Sequence, residues 1–134
     1  MTVEFPDLEQ FSDFVERVCT ALNEGTPSAL MCRRVKRGIE LIYNQESCGI
    51  HGFDRVALQD SGGFEENVML AVLGLLNFAQ DCIMEGSTEQ WPLGVGSQGE
   101  LAMPAAEVSQ GTVLAGYKLG GSWCVQLAPI AIQG

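Results

Sequence analysis

Cys48, His51 and Asp54 stand three residues apart and are the residue types of a nucleophile, a general base and an orienting carboxylate. His51 is the single histidine, so any imidazole chemistry must pass through it. In catalytic triads, however, the three groups usually come from separate elements that the fold brings together. Neighbours on one stretch, CGIHGFDRVALQDSGG from Cys48 to Gly63, share a backbone that seldom aligns them. The spacing therefore leads us to expect no catalytic residue. Metal binding fares no better, because a zinc site needs three or four protein ligands and Cys48-x-x-His51 supplies two, with no second pair nearby. Neither a metal nor a cofactor is expected.

Two further patterns invite a phosphate reading. Arg33, Arg34, Lys36 and Arg37 hold four of the seven basic residues and form a positive knob, a candidate anion site. Charge at a hairpin tip also blocks edge pairing, and no phosphate-cradling glycine loop accompanies the knob. Gly94-Val95-Gly96-Ser97-Gln98-Gly99 matches the letters of the dinucleotide fingerprint. That motif works only between a strand and a helix N-terminus, whereas here Trp91-Pro92 precedes it and Pro104 follows.

The elements that must position these residues are organised around Phe64 to Glu85, whose apolar side chains cover nearly the whole circumference of a helix. Only a narrow stripe of Glu66, Gly74, Asn77, Asp81 and Glu85 should face water. Asp60 or Ser61 suits the N-cap, Glu65 and Glu66 the positive end of the dipole, and Gly86 the stop. The uninterrupted apolar run, Val68 to Leu76, is nine residues long, against roughly 18–20 for a bilayer span. A core helix is expected, not an anchor.

Ahead of it, Leu8, Phe11, Val15, Val18 and Leu22 recur at helical spacing, with Glu9, Asp13 and Glu16 along another face. An Asp7–Gln10 capping box, a Pro6–Phe11 staple and a stop at Gly25 bound this amphipathic helix. Between the helices, residues 26–49 fit two periods. One is a helix capped by Thr26 and Pro27. The other is a hairpin of Leu30 to Val35 and Ile39 to Asn44 around a Lys36-Arg37-Gly38 loop, with Gly38 as its left-handed residue. A mid-helix glycine costs about 1 kcal/mol, which favours the hairpin. Residues 48–63 read as a connection with one short strand, Arg55 to Gln59.

The last third reads as an antiparallel meander of Glu100 to Val108, Thr112 to Leu119 and Ser122 to Ile132, turning at Ser109-Gln110-Gly111 and Gly120-Gly121. Pro104 and Pro129 lie in the outer strands, so the proline-free strand belongs in the middle. The glycine turn aligns Lys118 with Trp123, Gly116 with Val125, and Leu114 with Leu127. This places Trp123, Val125 and Leu127 against the central helix and Lys118 over the indole. Val113, Ala115, Tyr117, Cys124 and Gln126 fall on the opposite face. The expected architecture is one α+β domain over residues 1–134. Its sheet is mostly antiparallel, with a C-terminal three-stranded meander packed on a long central apolar helix and an N-terminal amphipathic helix.

The first residues, MTVEFPDLEQF, show neither the basic region nor the apolar run of a secretory signal, so a cytoplasmic protein with reduced thiols is expected. Five irregularly spaced cysteines argue against a disulfide framework and suit small buried hydrophobes. A net charge of −10 disfavours nucleic acid and anionic membranes, and favours solubility or attraction to a basic protein partner. The expected function is that of a small acidic protein-binding regulator (an inhibitor, an immunity or anti-defence factor, or a chaperone) acting by steric block or surface mimicry. Glu9, Asp13 and Glu16, the loop residue Trp91, and Tyr117 on an uncovered sheet face are its candidate contacts. Two alternatives are a structural homo-oligomer with the central helix as seam, and a small-molecule binder or minor enzyme. The latter would have its pocket between sheet and helix, lined by Trp123, Tyr117 and the His51 loop.

Overall fold

The structure, a computed structural model, describes residues 8–36, 38–53, 63–92 and 99–132. The expected caps at Asp7, Asp60 and Ser61, the Arg55 to Gln59 strand, Asp54, Arg37 and most of the Gly94 to Gly99 stretch lie outside the described residues. The architecture is α+β, with two helices and two antiparallel sheets among the described residues. Helix α1 (Leu8–Gly25) leads into strands β1 (Leu30–Val35), β2 (Gly38–Tyr43) and β3 (Glu46–Gly52), a sheet ordered β1-β2-β3. Helix α2 (Phe64–Ser87) is followed by β4 (Met103–Ser109), β5 (Thr112–Leu119), β6 (Ser122–Gln126) and the short β7 (Ile130–Ala131). In this second sheet β5 is central, with β4 on one edge and β6 and β7 sharing the other.

Each helix serves both sheets: α1 packs on β1 and β7, and α2 packs on β2, β3, β4 and β5. Helix α1 buries Phe11, Phe14, Val15, Val18 and Leu22, the apolar stripe that its period dictates. Two polar clamps hold it in place. Asn23 pairs its amide with the backbone of Cys32, donating to the carbonyl at 3.0 Å and accepting from the N–H at 2.7 Å, which closes part of the outer edge of β1. Arg17 donates to the carbonyls of Ala131 and Ile132 at 2.8 and 2.9 Å.

Helix α2 buries Phe64, Val68, Val72, Leu75, Leu76 and Ile83 among others, each worth roughly 1.5–3 kcal/mol relative to exposure. Over its 24 residues the mean hydropathy of one 18-residue window reaches 1.5, so length and composition alone would also suit a bilayer span. Only 44% of that window is buried, because one side of the helix is left uncovered by either sheet. The helix runs past Gly86 to a left-handed cap at Thr88, whose N–H returns to the Met84 carbonyl at 2.9 Å. Gly86 is therefore not the stop; it lies against the Tyr43 ring, where a Cβ would collide.

The hairpin reading of residues 30–44 holds, with a correction. Val35 pairs with Gly38, so the loop is two residues long and Gly38 is a strand residue whose Cβ would strike the His51 carbonyl of β3. Strand β3 follows a turn in which Asn44 and Gln45 both take positive φ, 49° and 71°; the expected loop at 48–52 is thus a strand.

In the meander, Lys118 pairs with Trp123 and its ammonium sits 4.4 Å from the indole centroid, as the glycine turn requires. The expected packing face is corrected in part: Val125 packs on the core and Leu127 is buried, whereas Trp123 is not on that face. A register shift between Tyr117 and Lys118 sets Tyr117 opposite Val125 and Gly116 opposite Gln126. Trp123 then shares the outer face with Lys118, while Val113, Ala115 and Tyr117 form the buried face. The Tyr117 hydroxyl donates to the Leu76 carbonyl of α2 at 2.7 Å. Tyr117→Phe is expected to lower the unfolding free energy by about 1 kcal/mol, and Tyr117→Ala by about 3–5 kcal/mol. Urea denaturation of the three proteins measures both, and equal midpoints would contradict this anchoring role.

Candidate functional site

The structure scatters the residues that looked chemical. Cys48 is joined to Cys82 of α2 in a disulfide across 34 residues of chain, so it is not a free nucleophile, and the expectation that all thiols are reduced is corrected here. Sequence spacing hid this pair because one cysteine lies on β3 and the other a full helix away. Cys19 and Cys32 are buried free thiols. The Cys32 thiol donates to the Cys19 sulfur, which pushes Cys32 up and holds Cys19 below its ordinary value. His51 is half-buried beside α2, its ring 6.2 Å from the Phe78 ring. Desolvation holds the imidazole below its ordinary 6.5, so it is neutral near pH 7.

The basic knob is divided by strand geometry. Arg33 faces outward and is paired with Glu40, whose carboxylate also accepts from Ser47 at 2.8 Å; the Ser47 hydroxyl and then Arg33 hold Glu40 below the usual carboxylate value. Arg34 lies opposite Ile39, on the other face. With Arg33 neutralised, Arg34 and Lys36 are the exposed cations of the described part of the knob. Tyr117, a candidate contact residue, is 0% exposed and belongs to the core. Trp91 folds back edge-on against it at 4.9 Å between ring centroids, the lid arrangement of an indole whose large apolar surface is cheaper to cover than to expose. Tyr117 is buried against α2 and Trp123 stands on the outer face of the sheet, so these two do not line one space. Glu9, Asp13 and Glu16 are exposed along α1.

What the structure does assemble is the uncovered side of α2. Glu66, Leu70, Asn77 and Asp81 are exposed at helical spacing, with Gly74 between them. On the β3 side, Ile50, His51, Gly74, Asn77, Phe78 and Asp81 line an open hollow of about 370 Å³. On the β4 side, Leu70, Leu73, Gly74, Asn77, Met103 and Pro104 line another of about 410 Å³. Gly74 keeps the ridge between them low, and a Cβ there would press on the His51 ring at 3.1 Å. The polar stripe was legible in the sequence. Leu70, one turn after Glu66, belongs to it by spacing and was the available signal; Ile50 and Met103 reach it only through the tertiary fold.

No group of three His, Cys, Asp or Glu side chains with metal-binding geometry occurs among the described residues. No protein-family model, curated protein or solved structure matches the chain.

Two predictions follow the site's chemistry. Without reductant the intact mass should fall two hydrogens short of the reduced chain, and reduction should cost about 3–4 kcal/mol of unfolding free energy for a loop of this length; an unchanged mass would remove the bond. For His51, a folded pKa below 6.5 means the unfolded chain binds the proton first. Its stabilising contribution is full above pH 6.5 and is lost as pH falls through the lowered folded value. Stability curves of the unmodified protein and His51→Gln should therefore diverge between pH 7 and 5, with the variant losing less. Parallel curves would show that burial of His51 has no such effect.

Proposed function

We propose that this chain is a protein-binding regulator that performs no bond chemistry and acts by occupying a partner's surface, as an inhibitor, an immunity or anti-defence factor, or a chaperone does. One observation carries the reading. Of the large hydrophobic residues that stand exposed among the described residues, Met31, Ile50, Leu70 and Met103, the last three line the two hollows beside the open stripe of α2. Scattered exposed apolar residues need no explanation, whereas a contiguous set over a long helix marks an interaction surface. The contact energy comes from this patch, and the acidic stripe of α1 adds long-range attraction to a basic partner.

A photo-crosslinking residue placed at Leu70 or Met103 in the producing cells tests this. Discrete adducts of one defined mass are expected from both positions, and competition by excess unmodified chain should remove them. Crosslinks no more frequent than from Thr20, an exposed position on α1, would remove the α2 face as the docking surface.

A further inference from the structure

The charge order along the open stripe of α2 narrows the partner, given that the face docks protein as proposed above. Reading along the helix, Glu65 and Glu66 come first, then Leu70, Leu73 and Gly74, then Asn77, Asp81 and Glu85. Acid stands at both ends of an apolar centre. From Glu66 to Asp81 the helix rises about 22 Å. Among the described residues, the two neighbouring cations do not offset this charge. Arg33 is taken by Glu40, the residue paired with Ile50, and Lys118, paired with Met103, is held by Glu107 at 3.1 Å and by the Trp123 ring. Glu65, Glu66, Asp81 and Glu85 form no ion pair among the described residues, and His51 is neutral near pH 7.

We infer that the occupant is an amphipathic helical segment of another protein, with an apolar face about four turns long and lysine or arginine at both ends. Gly74 seats the His51 ring, and the hollows on either side of the Leu70 stripe accept the apolar side chains of a partner helix laid along it. Basic ends then meet Glu66 and Asp81. A second copy of this chain fits less well. An antiparallel self-pair centred on Gly74 brings Glu66 of each copy near Asp81 of the other, setting like charges together at both ends. A bilayer is disfavoured by the same carboxylates.

The test uses a fluorescein-labelled synthetic 18-residue helix with leucine on one face and two lysines at each end, and a twin with glutamates in place of lysines. Stopped-flow anisotropy on the full chain is expected to show binding of the lysine peptide only. Leu70→Asp should weaken it at least about tenfold. Glu66→Gln with Asp81→Asn should speed dissociation about three- to tenfold, while Glu9→Gln with Asp13→Asn and Glu16→Gln slows association and leaves dissociation unchanged. Because these positions are exposed, the variants keep the core intact. Equal binding of both peptides, lost on Leu70→Asp, would overturn the basic-ended partner and leave the docking face standing. Failure of the lysine peptide to bind, together with Leu70-dependent dimerisation in sedimentation or Leu70-dependent binding to phosphatidylcholine vesicles, would assign the face to a second copy or to lipid and overturn the inference. Lysine-peptide binding indifferent to Leu70→Asp would overturn both the inference and the proposed docking face.

Discussion

The fold depends on one constraint: α2 is apolar around most of its circumference, and a helix of that kind must be covered from more than one direction. A single sheet can cover one side. Here two separate sheets approach it, β2 and β3 on one flank and β4 and β5 on the other. Tyr117 fixes the second approach, because its ring is wholly buried and its hydroxyl must find an acceptor, which the Leu76 carbonyl provides. The Cys48–Cys82 bond ties the first. Helix α1 then bridges the far margins of the sheets, held by Asn23 on β1 and Arg17 on the β7 segment.

The same constraint leaves a residue of unburied apolar surface. Two sheets meeting a cylinder from two flanks cover its sides and leave a strip between their edges. Along that strip Leu70 stands 53% exposed, flanked by Ile50 and Met103 from the two edge strands. The proposed docking face is thus a consequence of how the core is built. Its N-terminal acidic end follows from helix physics as well, since Glu65 and Glu66 favour that end of the dipole irrespective of any partner. Asp81 has no such structural reason, and its carboxylate borders the hollow beside His51.

Local pattern carried the elements whose burial is one-sided or whose turn is stereochemically demanding. The period of Phe11, Val15, Val18 and Leu22, the continuous apolar surface of residues 64–85, and the Gly120-Gly121 turn with Lys118 opposite Trp123 all follow from spacing and from the allowed φ of glycine. Even the open stripe of Glu66, Gly74, Asn77 and Asp81 is a matter of helical arithmetic. The α+β class comes from the same evidence, because helix-period and strand-period stretches occupy separate parts of the chain.

Tertiary structure decided whatever depended on distant residues or on a single shift of register. A bulge between Tyr117 and Lys118 reverses the alternation along β6, so Trp123 faces out while Val125 and Tyr117 share a face; side-chain size alone favoured the wrong one. Strand β3 exists because Asn44 and Gln45 accept a left-handed turn without glycine, and Gly38 serves its close approach to β3 rather than the loop. The disulfide between Cys48 and Cys82 and the meeting of Ile50, Leu70 and Met103 around Gly74 join segments far apart in the chain. Residue types and spacing determined which helices and turns would form, because those depend on neighbours within a few residues. Which faces were covered and which surface stayed open was settled only when two sheets competed to bury one helix.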